Sequence, residues 1–138
     1  MVQWNRKESA EAGRLFRCWV EEVCAVERKD PSDLVHSSTV DRRGFIDRLR
    51  AMARLPHRLL VITSTLSQIK SPYSHANVDP NRITQFLIAT LAGLQVPFVC
   101  SETHELGEEL VGSYLYQVHL HHWLECNDHG RFLIDDDI

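Results

Sequence analysis

The chain has 138 residues, 43% of them hydrophobic and 25% charged, with a formal net charge of −4 and four cysteines; this suits one globular domain with a modest core. No apolar run is long enough to span a bilayer, and the polar start lacks the charged-then-apolar pattern of a secretory signal, which points to the cytoplasm. The acidic balance excludes a protein that coats DNA indiscriminately. The cysteines have no tight spacing, so Cys24 and Cys100, in apolar strand candidates, are expected as buried thiols.

Residues 1–17 are compatible with a helix but carry no apolar stripe. From Val20 to Lys29 the pattern predicts a strand, with Val23 and Ala25 on one face and Cys24 and Val26 on the other. Because side chains alternate along a strand, Glu27 and Lys29 share a face while Arg28 takes the opposite one. Asp30 suits an N-cap, Pro31 the first helical position and Asp33 the first turn, predicting a short helix from Pro31 to about Ser37. Glu27, Lys29 and Asp33 are therefore expected to converge. Carboxylates can hold a hard divalent cation that polarises a phosphate and acidifies a water, and a lysine can orient that water or offset charge on the phosphorane. The plainer reading is a solvated strand end, with Asp33 favoured by the helix dipole.

Asp41 suits the N-cap of a second helix with Phe45, Leu49 and Met52 at helical spacing, ended by Pro56. The stretch concentrates Arg42, Arg43, Arg48, Arg50, Arg54 and Arg58, either a phosphate contact or a solvated face. Leu59 to Ile62 reads as a strand covered on both sides, leaving by Thr63, Ser64 and Thr65. A turn of helix over 66–70 and a loop with Pro72 and Tyr73 follow. Asp79-Pro80 opens a helix with Ile83, Leu87, Leu91 and Leu94 along one stripe. After a strand from Val96 to Cys100, Ser101 or Thr103 caps a long helix that turns Leu106, Leu110, Tyr114 and Val118 inward. Strands alternating with helices imply an α/β layer fold. On the last helix His119, His122 and Cys126, with His121 beside them, offer ligands to a zinc ion, completed by Cys100 or His104; the alternative is a histidine-rich helix end. Asp135, Asp136 and Asp137 make an acidic tail.

Val26-Glu27-Arg28-Lys29, followed by Asp33, resembles the signature of the XPF/Hef-type nucleases, the structure-specific DNA endonucleases of excision repair and their small bacterial relatives. Phe45, Arg48 and Leu49 with Leu55-Pro56 resemble the family's following helix, Leu59 to Ile62 its next core strand, Tyr73-Ser74 its "YxS" loop, and Val96-Pro97-Phe98-Val99 its "GVPV" strand. The resemblance implies an α/β, restriction-endonuclease-like mixed sheet flanked by helices over residues 20–126, between a non-matching segment 1–19 and the tail 127–138. It implies Glu27 as the ligand of Mg²⁺ (or Mn²⁺), Lys29 positioning or activating the water, Arg28 contacting phosphate or locking the site by an ion pair, and Asp33 supporting the lysine or the metal shell. Arg42, Arg43, Tyr73 and Ser74 are the implied DNA contacts, and branched or junction DNA the implied substrate. Similar nucleases pair two such domains and grip DNA through helix-hairpin-helix modules, so a homodimer or a partner is expected to set substrate choice.

The chain departs from the family pattern at three acids. Gly13-Arg14-Leu15-Phe16 stands where the family has Gly-Asp-Tyr-Ser, Ile62-Thr63 where it has Ile-Glu, and the shorter Asp47 follows the helix phenylalanine. The first departure has an explanation in the genetic code. Residues 13–19 can be encoded by GGG CGA CTA TTC CGT TGC TGG, which read one base later gives Gly-Asp-Tyr-Ser-Val-Ala-Gly. An out-of-frame start is thus expected over residues 1–19, leaving the sheet without its first strands. Besides the DNA-repair endonuclease, two readings stand: a catalytically impaired nuclease-fold DNA-binding or partner subunit, and a zinc-binding module.

Overall fold

A computed structural model of the chain describes residues 23–127. Arg14, Cys18, the out-of-frame segment, the first residues of the predicted first strand, the sheet's expected missing strands and the acidic tail from residue 128 all fall outside that range. The elements are β1 (Cys24–Lys29), α1 (Pro31–Thr39), α2 (Arg42–Met52), β2 (His57–Ile62), α3 (Leu66–Ile69), α4 (Pro80–Leu94), β3 (Phe98–Cys100) and α5 (His104–Cys126). The architecture is α/β. The sheet, expected to be mixed, is parallel throughout among the described residues, in the order β1-β2-β3. Parallel neighbours need helical crossovers, and α1–α2 and α3–α4 supply them.

Leu59, Leu60, Val61 and Ile62 are all buried, as the unbroken apolar run predicts for a strand covered on both sides. Ala25, Leu60 and Ile62 share one core with Leu34, Val35, Phe45, Leu49, Met52, Ile83 and Leu87 of the helices α1, α2 and α4. Cys24, Val26, Leu59 and Val61 share another with Leu115 and Val118 of α5. The sheet therefore lies between two helical layers, and its two-residue alternation assigns each β1 side chain to a layer. Burying each such aliphatic or aromatic side chain contributes about 1.5–3 kcal/mol. Among the described residues no helix is long and apolar enough to cross a membrane.

The caps explain why the helices start where they do. Asp30 Oδ1 accepts from the Asp33 amide at 2.8 Å, Asp79 Oδ1 from Asn81 at 2.9 Å and Thr103 Oγ1 from Leu106 at 3.2 Å; each satisfies a donor that a helix start leaves open. Thr65 and Gln68 form a capping box around α3. Asp41 occupies the expected position before α2 but makes no side-chain cap bond; its carboxylate is turned to Arg48 instead. Gly44 leaves room for it, since a Cβ there would lie 2.5 Å from Asp41 Oδ1.

Two predicted stripes are corrected. Leu91 on α4 is 41% exposed and Leu106 on α5 is 46% exposed. The buried positions are Ile83, Thr84, Phe86, Leu87 and Thr90 on α4 and Gly107, Leu115 and Val118 on α5. On α5 Gly107 takes the inward direction, so Leu106, about 100° round the helix from it, turns outward. At its start Gly107 makes the close approach: a Cβ there would lie 2.8 Å from both Ser101 Oγ and Thr63 Cγ2.

Candidate functional site

Glu27 and Lys29 leave β1 on the same side, as alternation requires, and meet there: Lys29 Nζ lies 3.3 Å from Glu27 Oε1, with side-chain exposures of 14% and 2%. An ion this deeply buried needs a partner or it neutralises. Arg48 of α2 extends the pair, its Nε 4.0 Å from the same oxygen and its Nη2 donating to Asp41 Oδ2 at 3.0 Å. Beneath the cations is Phe45, with Lys29 Nζ 5.2 Å and Arg48 Cζ 5.7 Å from the ring centroid, a cation–π arrangement. Phe45 stacks on Phe86 at 5.7 Å, over which Arg42 Cζ sits at 4.8 Å. The pair stands at the carboxyl end of β1, where the Lys29 carbonyl accepts from the Thr63 amide at 2.9 Å. Open parallel sheets place their ligand sites outside this end of the strands.

Arg28 faces the other layer. Its Nη1 lies 3.3 Å from Glu108 Oε1 and 3.2 Å from His104 Nε2, while His104 Nε2 lies 3.1 Å from the same Glu108 oxygen. Arg28 is thus ion-paired to α5.

Asp33 does not join the convergence expected of it. It is exposed, and among the described residues its carboxylate makes no ion pair with Lys29. The cause is helical geometry: Leu34 and Val35 take the inward face of α1, so the preceding residue turns to solvent. Tyr73, expected at the DNA, is half-buried against the core; its hydroxyl donates to the Ile69 carbonyl, and burial pushes that hydroxyl's pKa up. Ser74 beside it is exposed, as are Arg42 and Arg43 on α2. Thr63, where the family pattern has glutamate, is half-buried under the position of Gly107.

Mg²⁺ demands an octahedron of oxygens. At the pair the described residues offer Glu27, with one oxygen already facing an ammonium; Asp41 is engaged by Arg48. Among the described residues no three His, Cys, Asp or Glu side chains gather as a metal would need. The donors present there therefore do not fit a complete Mg²⁺ or Mn²⁺ shell. The zinc reading meets the same finding: His122 Nε2 is 3.5 Å from Cys126 Sγ, while His104 belongs to the Arg28 cluster.

On the α5 side burial raises the Cys24 thiol to about 11. Burial raises Tyr114 to about 12, with Cys24 adding to the effect and Arg58 opposing it. The Cys100 thiol is raised by burial too. A thiol raised as far as that of Cys24 stays protonated and unreactive at neutral pH; Cys24 is buried as expected, whereas Cys100 is half-buried.

The bonds from Arg48 to Glu27 and Asp41 and the Arg28 cluster were not read from the sequence. Local signals for parts of them exist: Asp41 and Arg48 stand two helical turns apart, and His104 and Glu108 are an i,i+4 pair. No protein-family model matches the chain, and a search of curated proteins finds no match.

Proposed function

We propose that the chain is a structure-specific DNA nuclease domain of the XPF/Hef type, with a restriction-endonuclease-like core, acting on phosphodiesters at branch points or single-strand to duplex junctions during DNA repair. The observation that carries this reading is the Glu27–Lys29 pair, 3.3 Å apart at the end of a parallel strand. Lys29 offers an ammonium to a non-bridging phosphate oxygen as negative charge grows on the phosphorane, and an incoming phosphate competes with Glu27 for it. The carboxylate thereby released can orient a water and accept its proton. Arg28 holds the strand end to α5 through Glu108. Similar nucleases are implied to use Mg²⁺ or Mn²⁺; because Glu27 is an incomplete ligand set among the described residues, the roles assigned to this chain's own side chains are charge, orientation and proton acceptance.

A second reading, a nuclease-fold partner subunit that contacts DNA without cutting it, is favoured by two observations: Thr63 at the end of β2 and the 2% exposure of Glu27. Cleavage of flap and fork DNA in Mg²⁺ or Mn²⁺ separates the two. The samples are this chain, the chain with residues 13–19 read in the shifted frame, and Glu27→Gln in each. The shifted-frame chain is expected to cut, and its Glu27→Gln form to lose roughly 10²–10⁴-fold in rate. Cutting restored only by the frame change makes the chain as written a partner subunit. No cutting by the shifted-frame chain, or equal cutting without Glu27, ends the nuclease reading.

A further inference from the structure

The inner side of α2 backs the Glu27–Lys29 pair; its outer side carries a second feature. Arg42, Arg43, Ile46, Asp47 and Arg50 line an open groove of about 360 Å³, three guanidinium groups against one carboxylate. Arg42 is already placed, its Nη1 donating to the Ser38 carbonyl at 3.3 Å and its guanidinium lying over Phe86. Arg50 Nη1 rests 3.4 Å from Asp47 Oδ1. Arg43 is exposed. The acids Glu105, Glu108 and Glu109 are exposed on α5, in the layer on the far side of the sheet. A chain of net charge −4 thus keeps this groove basic.

We propose that the groove seats the phosphate backbone of a duplex DNA arm. The assignment rests on the nuclease reading and names the surface that grips the substrate. A guanidinium presents a planar fork of donors that matches phosphate geometry, and one held in advance loses less freedom on binding. Arg43 and Arg50 are two helical turns apart, about 10 Å along the axis, so each meets its own phosphate. With phosphate contacts alone, binding is independent of base sequence and strongly dependent on salt.

Fluorescence anisotropy with a fluorescein-labelled flap duplex in EDTA, over about 50–200 mM KCl, tests the assignment. Arg43→Gln/Arg50→Gln is expected to bind roughly tenfold or more weakly at low salt, with a log–log salt slope shallower by about two. Arg54→Gln, an exposed arginine that does not line the groove, is expected to keep the parent slope. Unchanged affinity and slope in the double variant overturn the proposal. So do an equal effect of Arg54→Gln and a parent chain that binds no duplex. Since binding is read without metal or cutting, a failed cleavage assay leaves it standing, and an unchanged salt slope removes the groove without touching Glu27. Thermal melts superposing on the parent's confirm that both variants are folded.

Discussion

A glutamate at 2% exposure near the carboxyl end of β1 is held there by its neighbours. Lys29, 3.3 Å away, is itself only 14% exposed. Removing one member of such a pair leaves an uncompensated buried charge and costs up to about 3–5 kcal/mol, less to the extent that Arg48 at 4.0 Å takes over. Lys29→Met is therefore expected to destabilise the fold more than Glu27→Gln, which keeps the shape and removes the charge. Urea midpoints for the two variants check the order; equal midpoints would show that the pair is not coupled in the folded state. The Cys24 thiol gives a second prediction. Its pKa is raised from 9.0 to about 11, so between those values the unfolded chain loses a proton that the folded chain keeps. Stability is accordingly unaffected below pH 9 and falls as pH rises toward 11, by up to about 1.4 kcal/mol per pH unit. Tyr114, raised from 10.0 to about 12, adds a loss of the same sign at higher pH. Cys24→Ala should flatten the limb between 9 and 11 in pH-dependent melts while leaving the part of the tyrosine's contribution that burial causes.

Among the elements, α5 shows how one missing side chain sets a contact. Gly107→Ala would gain helix propensity, about 1 kcal/mol, yet drives a Cβ to 2.8 Å from Thr63 Cγ2 and Ser101 Oγ, and overpacking of this kind costs about 1–3 kcal/mol. Gly112, in the same helix with nothing within 4 Å of its would-be Cβ, has only the propensity to gain. The expected outcome is opposite signs: Gly107→Ala lowers the melting temperature and Gly112→Ala raises it. Two shifts of the same sign would show that α5 does not approach β2 as described. The tie between β1 and α5 is weaker. Arg28 and Glu108 are 33% and 63% exposed, and ion pairs in that setting contribute about 0–1 kcal/mol, so their value lies in orienting the strand end.

At the scale of the molecule, β2 unites the layers, pairing with β1 on one side and β3 on the other and burying residues toward both cores. Leu60→Ala, at a fully buried position, is expected to cost about 2–5 kcal/mol, whereas Leu66→Ala, at 46% exposure, should stay within about 0.5 kcal/mol of the parent. Denaturant unfolding followed by tryptophan fluorescence and by far-ultraviolet dichroism checks both values. Non-coincident transitions for Leu60→Ala would mean that the layers unfold separately.

Local chemistry made much of this legible in the chain itself. The α/β order, the strand carrying Glu27 and Lys29 on one face, the Asp30 cap and the doubly covered β2 all follow from two-residue alternation, capping and apolar runs, which the backbone imposes within a few residues. What tertiary structure decided lies at longer range. Arg28 meets Glu108 80 positions away, Arg48 reaches Glu27 across the α1 crossover, Asp33 turns to solvent, Tyr73 packs against the core, and Leu91 and Leu106 are exposed. Periodicity states which residues share a face, but which part of a face is covered depends on where the chain's crossovers lay each helix against the strands, and that placement is settled only when the two cores close together.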